Sequence, residues 1–218
     1  MTIAIVGTTK LDGFGTTLDI PYASTAGNLL VVHVSVGNVL TPTDTAGNTW
    51  TLALNTSTIG STSQRLGQVY YCLNASAITS LTLTHAASQN YVAIVTELSG
   101  VASYRGGAMN TGTSTAATTS VVAGDMVLSG CFYFKTAATA AAPFPAGWTG
   151  IDTGIRGNNF NGLAYQAIAA DGTSGPSWAL GSNGAHTVTA WVPSVTEVFT
   201  NFRWTGSAWV PMRVKLGA

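Results

Sequence analysis

The chain has 218 residues, of which 7% are charged and 46% hydrophobic, and its formal net charge is zero. Ordinary globular domains carry roughly a quarter charged residues, yet this hydrophobicity excludes disorder, which needs few apolar residues and a high net charge. The balance also excludes a basic footprint for nucleic acid, and no run reaches the ~18 apolar residues of a membrane span. Polarity is carried by Thr, Ser, Asn and the 25 glycines, residue types that suit strands and tight turns.

In chain order, residues 2–6 predict a first short strand. Residues 10–22 read as mixed, with Gly13 and Gly15 as turn makers and an edge strand over 18–20. An edge tolerates the missing N–H of Pro21. Residues 29–36 form an apolar, β-branched run between Gly27 and Gly37, which predicts a buried central strand. A turn-rich loop over 41–48 leads into a strand over 49–54, a polar loop over 57–63 and a strand over 66–73. Residues 81–84 alternate strictly and predict one inward face. Residues 91–98 are almost continuously apolar and predict burial on both faces. The small polar stretch 106–119 predicts a long loop at a seam. Beyond it the order repeats: a short strand near Val121, a central strand over 126–134, a loop over 136–146, strands near 148–155, a loop over 157–162, and strands near 163–169, 177–180 and 186–192. No amphipathic run with helix caps occurs.

The repeat is visible in residues. Gly27 to Gly37 corresponds to Gly124 to Phe134, and Trp50 corresponds to Trp148. Gly67-Gln68-Val69-Tyr70-Tyr71 is echoed by Gly162-Leu163-Ala164-Tyr165-Gln166, and residues 90–95 by 185–192. The expected fold is all-β: one jelly-roll-like β-sandwich over 1–198, made of half-motifs 1–100 and 101–198 with the two central strands paired near its middle. Two tandem sandwiches are the alternative.

No stretch carries a catalytic signature. The acids are Asp12, Asp19, Asp44, Glu97, Asp125, Asp152, Asp171 and Glu197. Only Glu97 and Glu197, near the ends of corresponding strands, suggest the paired carboxylates of glycoside hydrolysis. The rest sit in turns, where Asp is common. His33, His85 and His186 are widely separated, and His33 reads as a hydrogen-bonded core residue. No spacing matches a zinc site, and Asp44 to Asn48 is a poor relative of a calcium loop. No catalytic residue, cofactor or metal is therefore expected. Cys72 and Cys131 read as buried thiols, with a disulfide left open. Asn55-Thr56-Ser57 and Asn74-Ala75-Ser76 match the glycosylation pattern, as chance allows in such a composition. Trp50, Trp148 and Trp178 read as core. Tyr104, Phe144 and Phe160 lie in predicted loops and are the candidates for glycan contact. The first residues lack the basic and apolar regions of a signal peptide, which predicts a chain made and folded in a cytoplasm.

Residues 199–218 differ from the body. They hold Arg203, Arg213 and Lys215 and no acid. Val210, Met212, Val214 and Leu216 alternate with Pro211, Arg213 and Lys215, the period of a strand with an apolar and a basic face. Trp204 and Trp209 flank the intervening turn, as a cross-strand pair would. A β-hairpin or extended tail is predicted, with these residues as its partner-docking set.

The run Thr43 to Thr51, then Val69-Tyr70-Tyr71, residues 81–84 and Ile94 to Val101 resembles a sandwich domain common in structural proteins of tailed bacteriophages. The ending Trp204-Thr205-Gly206-Ser207-Ala208-Trp209-Val210-Pro211 is similar to the termini of phage minor tail proteins. The resemblance implies a virion protein, either a capsid decoration or a minor tail component. Its implied partners are major capsid or tail proteins, with further copies of itself. It implies no catalytic residue; charge and hydropathy, as above, lead to no expected nucleic-acid or membrane partner. A carbohydrate-binding module for host adhesion is the alternative, and a glycan-degrading enzyme a third reading that the scarcity of acids disfavours.

Overall fold

The structure is a computed structural model that describes residues 2–37, 39–56, 66–111, 117–134, 143–157, 159–178, 184–195, 198–204 and 209–214; at 66, 133, 134, 198–204 and 209–214 it describes the backbone alone. The described residues form strands and no helix. The first sheet has the order β1 (Ala4–Pro21), β6 (Ser80–Ser99), β2 (Leu29–Val36), β5 (Leu66–Cys72), β4 (Thr51–Asn55). A short β3 (Thr41–Asp44) also pairs with β6. The second sheet has the order β7 (Val101–Thr111), β13 (Gly184–Pro193), β9 (Met126–Phe134), β11 (Asn159–Ala167), β10 (Thr149–Arg156). The ribbon β8 (Thr119–Val121) with β12 (Gly172–Ser174), and the hairpin β14 (Val198–Trp204) with β15 (Trp209–Val214), complete the set.

The chain folds as the β-sandwich that its alternation predicts, and each half supplies one sheet. The strand orders correspond one to one: β1 with β7, β6 with β13, β2 with β9, β5 with β11, β4 with β10. The two central strands are not paired in one ladder. Each is third in its own sheet, and they stack face to face, with the His33 and Phe132 rings 6.4 Å apart. A strand burying both faces needs neighbours above, below and beside it, and a sandwich supplies them.

Three layers of apolar side chains result. Between the sheets lie Leu29, Val31, Val69, Ile94 and Leu98 from one half and Met126, Leu128, Phe132, Leu163 and Trp191 from the other. The next residues along the same strands face outward. Leu30, Val32, Val34 and Val36 pack under Ile20, Leu81 and Leu83. These covering residues belong to the far ends of β1 and β6, which run on beyond the sheet as a paired extension. In the second half the ribbon β8–β12 stands at the corresponding place, and Val121 packs with Val127, Val188 and Ala190.

Several sequence expectations change here. Residues 10–21 are not a turn followed by a short strand but the continuation of β1, which pairs with β6 as far as Pro21↔Ser80 with register shifts at Ile5/Gly7 and Gly15/Thr17; β1 is the edge of its sheet, as expected for 18–20. Gly13 is needed for space, because a β-carbon there would overlap the Leu18 side chain. Residues 81–84 and 91–98 are one strand. Residues 106–111 belong to β7 rather than to a seam loop. The stretch near 177 is not a strand as far as Trp178, and Trp178 is instead a buried plug donating to Ser129 Oγ at 3.0 Å. The repeat also slips by one residue. Leu30 pairs with Cys72 and its counterpart Val127 with Gln166, so Tyr71, not Tyr70, matches Tyr165. A one-residue slip exchanges the faces of a strand, and the ladders resolve it.

Candidate interaction surfaces

The described acids are spent on folding. Glu97, 2% exposed, accepts from Tyr22 Oη at 3.0 Å, Thr25 N at 2.9 Å and Asn28 Nδ2 at 2.6 Å. It fastens the β1–β2 connection to β6. Burial and the Glu97 carboxylate push the Tyr22 phenol up. Asp125 is buried and takes a two-point contact from Arg105 Nε and Nη2, which ties β7 to the turn before β9. Asp44 accepts from Ala46 N, Asn48 N and Trp50 Nε1. Burial pushes its carboxyl up, but these donors outweigh burial and hold it below its ordinary value. Asp19 accepts from Thr82 Oγ1 and Asp171 from Ala123 N. Asp152 pairs with Lys10 at 3.2 Å and Asp12 with Arg156 at 3.5 Å. Glu197 lies outside the described residues, so the proposed pairing with Glu97 has no described geometry. Among the described residues no cluster of His, Cys, Asp or Glu is grouped to hold a metal ion.

Of the three glycan candidates, one is buried and one is half-buried. Phe160 is fully buried with Cys131 and Trp178. Tyr104 packs against Tyr71 and Trp191, with ring centroids 5.2 and 5.0 Å away. Both were read as loop residues but lie in strands β11 and β7, where one side of the pleat must face the core. Phe144 is 41% exposed, its ring edge-on to Trp178. Cys72 and Cys131 are buried and free. They lie in separate outer cores on opposite sides of the sandwich, which excludes a disulfide between them. His33 is buried as expected, but neither ring nitrogen has a hydrogen-bond partner. Burial lowers its pKa from 6.5 to about 3.

The tail is a hairpin with Trp204 directly opposite Trp209. Opposed residues of a ladder share a side. One side therefore carries Trp204/Trp209, Phe202/Pro211 and Phe199/Arg213; the other carries Arg203/Val210, Asn201/Met212 and Val198/Val214. The register adds something that β15 alone did not reveal: the aromatic positions gather on the side of Arg213, and both sides are rich in apolar residues. Among the described residues the hairpin pairs with neither main sheet. Lys215 and Leu216 lie outside the described residues.

The fold leaves two pairs of facing edges. β1 lies against β10, joined by the two ion pairs above and by Lys10 Nζ donating to Thr153 O at 2.6 Å. β4 lies against β7, where a β-carbon at Gly107 would press on Leu54. Sequence reasoning missed these edges, because which strand ends a sheet depends on pairings distant in sequence. Comparison with known protein families, with curated proteins and with solved structures finds no match.

Proposed function

We propose that the chain is a non-enzymatic structural component of a tailed-phage virion, a capsid decoration or minor tail protein present in several copies. The sandwich is a rigid exposed module, and the C-terminal hairpin docks it on a capsid or tail protein. One observation carries this reading. Each described acid is engaged in holding the fold, while a ribbon rich in aromatic and basic positions stands outside both sheets. A two-stranded ribbon alone is marginal in water, so a covering surface stabilises it. Trp204 and Trp209 are its anchors, since buried Trp is a frequent hot spot. Arg203, Arg213 and Lys215 favour an acidic rim and act mainly on association rate and salt dependence. The glycan-binding alternative loses Phe160 to the core and keeps Phe144 and half-buried Tyr104.

Electron microscopy of phage particles labelled with gold-conjugated antibody against this chain tests the reading. Labelling at regular positions on the shell or tail is the expected result. Particles that assemble fully without the chain and carry no label would overturn it.

A further inference from the structure

Side chains along the first part of β1 alternate between two faces. Leu11 packs against the outer core of the first half. Lys10 and Asp12 point the other way, towards β10, where they meet Asp152 and Arg156. Residues directly opposite in a ladder share a side. Val92, opposite Asp12, accordingly faces β10, and a β-carbon at Gly154 would overlap it. Phe14 is next in the same row, and Asn90 stands opposite it. β10 ends at Arg156, so it does not cover this last step. Phe14 is 65% exposed, more than any other large apolar side chain among the described residues. Beside it, the half-buried Asn90 side-chain amide has no hydrogen-bond partner among the described residues. Gly157 gives that amide room, since a β-carbon there would stand 2.8 Å from Asn90 Nδ2. The Asp12–Arg156 contact is loose, at 3.5 Å, and both side chains are open to solvent.

We infer that Phe14, Asn90, Asp12 and Arg156 form a binding site for a neutral saccharide. The Phe14 ring offers an apolar face on which the C–H side of a sugar ring can stack. A sugar hydroxyl both donates and accepts, and the site supplies both kinds of partner. Arg156 and Asn90 offer N–H donors, and Asp12 and Asn90 offer acceptor oxygens. Asp12 and Arg156 cancel in charge, so the site does not favour an ionised ligand. One ring with three polar side chains matches one or two sugar units and falls far short of the ~800 Å² per partner of a stable protein interface. The site also lies away from the hairpin. The chain leaves β13 beside Gly100, where Ser194 N donates to Gly100 O at 2.7 Å. The β1–β6 ladder begins there with Ala4↔Ser99, and Phe14 stands about 33 Å further along it at ~3.3 Å per residue. A body docked through its hairpin therefore presents the Phe14 end outward. The inference goes beyond the docking reading and does not require it.

A glycan array probed with the full chain tests it. N-terminal biotin and a streptavidin tetramer offset weak single-site affinity through multivalency, and the N-terminus, beside Gly100, is distant from the site. The wild type is expected to bind neutral saccharides. Phe14→Ala should lower binding about tenfold and Asn90→Ala about threefold, as loss of a stacked ring and of a hydrogen bond do. Phe144→Ala, at an exposed ring elsewhere on the sandwich, should leave it unchanged. Circular dichroism melting of all three variants close to wild type confirms that folding is kept. A chain that binds no saccharide, or only acidic ones, overturns the inference. So does binding that survives Phe14→Ala, or that Phe144→Ala abolishes equally. None of these outcomes bears on particle labelling, so the two readings fail separately.

Discussion

His33 sits between the sheets with both ring nitrogens unpaired. Its folded pKa is about 3 because burial disfavours the charged ring, against an ordinary value near 6.5. Burial lowers His186 too. Between pH 6.5 and 3 the unfolded chain therefore binds more protons than the folded one. For His33 that contribution is full above about pH 6.5 and is lost as the pH drops towards 3, by about 1.4 kcal/mol per pH unit. Urea unfolding at pH 7.5 and 4.5 reads this slope. His33→Leu should reduce it, and an unchanged slope would locate the effect elsewhere. A second residue-scale prediction concerns Gly67. A β-carbon there would overlap the Phe132 ring, which is fixed in the inner core. Gly67→Ala should cost about 1–3 kcal/mol, as overpacking does; a neutral result in chemical denaturation would mean that the sheets separate more easily than their packing implies.

At the scale of elements, Glu97 links the β1–β2 connection to β6 through three donors. Glu97→Ala removes the acceptor of all three, and hydrogen bonds to a charged group contribute about 1.5–3 kcal/mol each. Glu97→Gln keeps an acceptor for Thr25 N and Asn28, and should cost much less. Denaturant midpoints of the two variants check this, and equal losses would mean that the carboxylate charge rather than the hydrogen bonds matters. Elements were legible where local pattern decides. The apolar runs of β2, β9 and β13 were visible because strands buried on both faces need continuous hydrophobicity. Glycine misled. Gly13 reads as a turn maker and Gly106 as the start of a loop, yet they lie within β1 and β7, one making room for Leu18 and the other with open space where a β-carbon would stand. Tyr104 and Phe160 were misplaced for the same reason, since a stretch read as loop hides which side of a strand a ring occupies. The candidate edges were not legible at all. Each ion pair of the β1/β10 side joins residues from different halves, and no local signal records such a meeting.

At the scale of the molecule, the repeat predicted two halves but not how they meet. Each half has an outer core of its own, and the inner core is shared. Two-state unfolding is the expected behaviour of a domain with one central core. Residues 1–100 and 101–198, expressed separately, should each expose the inner face and fail to give a cooperative melt. Two soluble halves, each melting cooperatively, would mean that the repeat is a pair of domains.

The central claim, that a sandwich body is docked through its C-terminal hairpin, is tested most directly by deleting 199–218. Among the described residues the hairpin pairs with neither main sheet, so the truncated chain should melt within a few degrees of the full one. In particles assembled with it, however, quantitative mass spectrometry should find it absent or nearly so. A truncated body that unfolds, or that joins particles at full occupancy, would contradict the account.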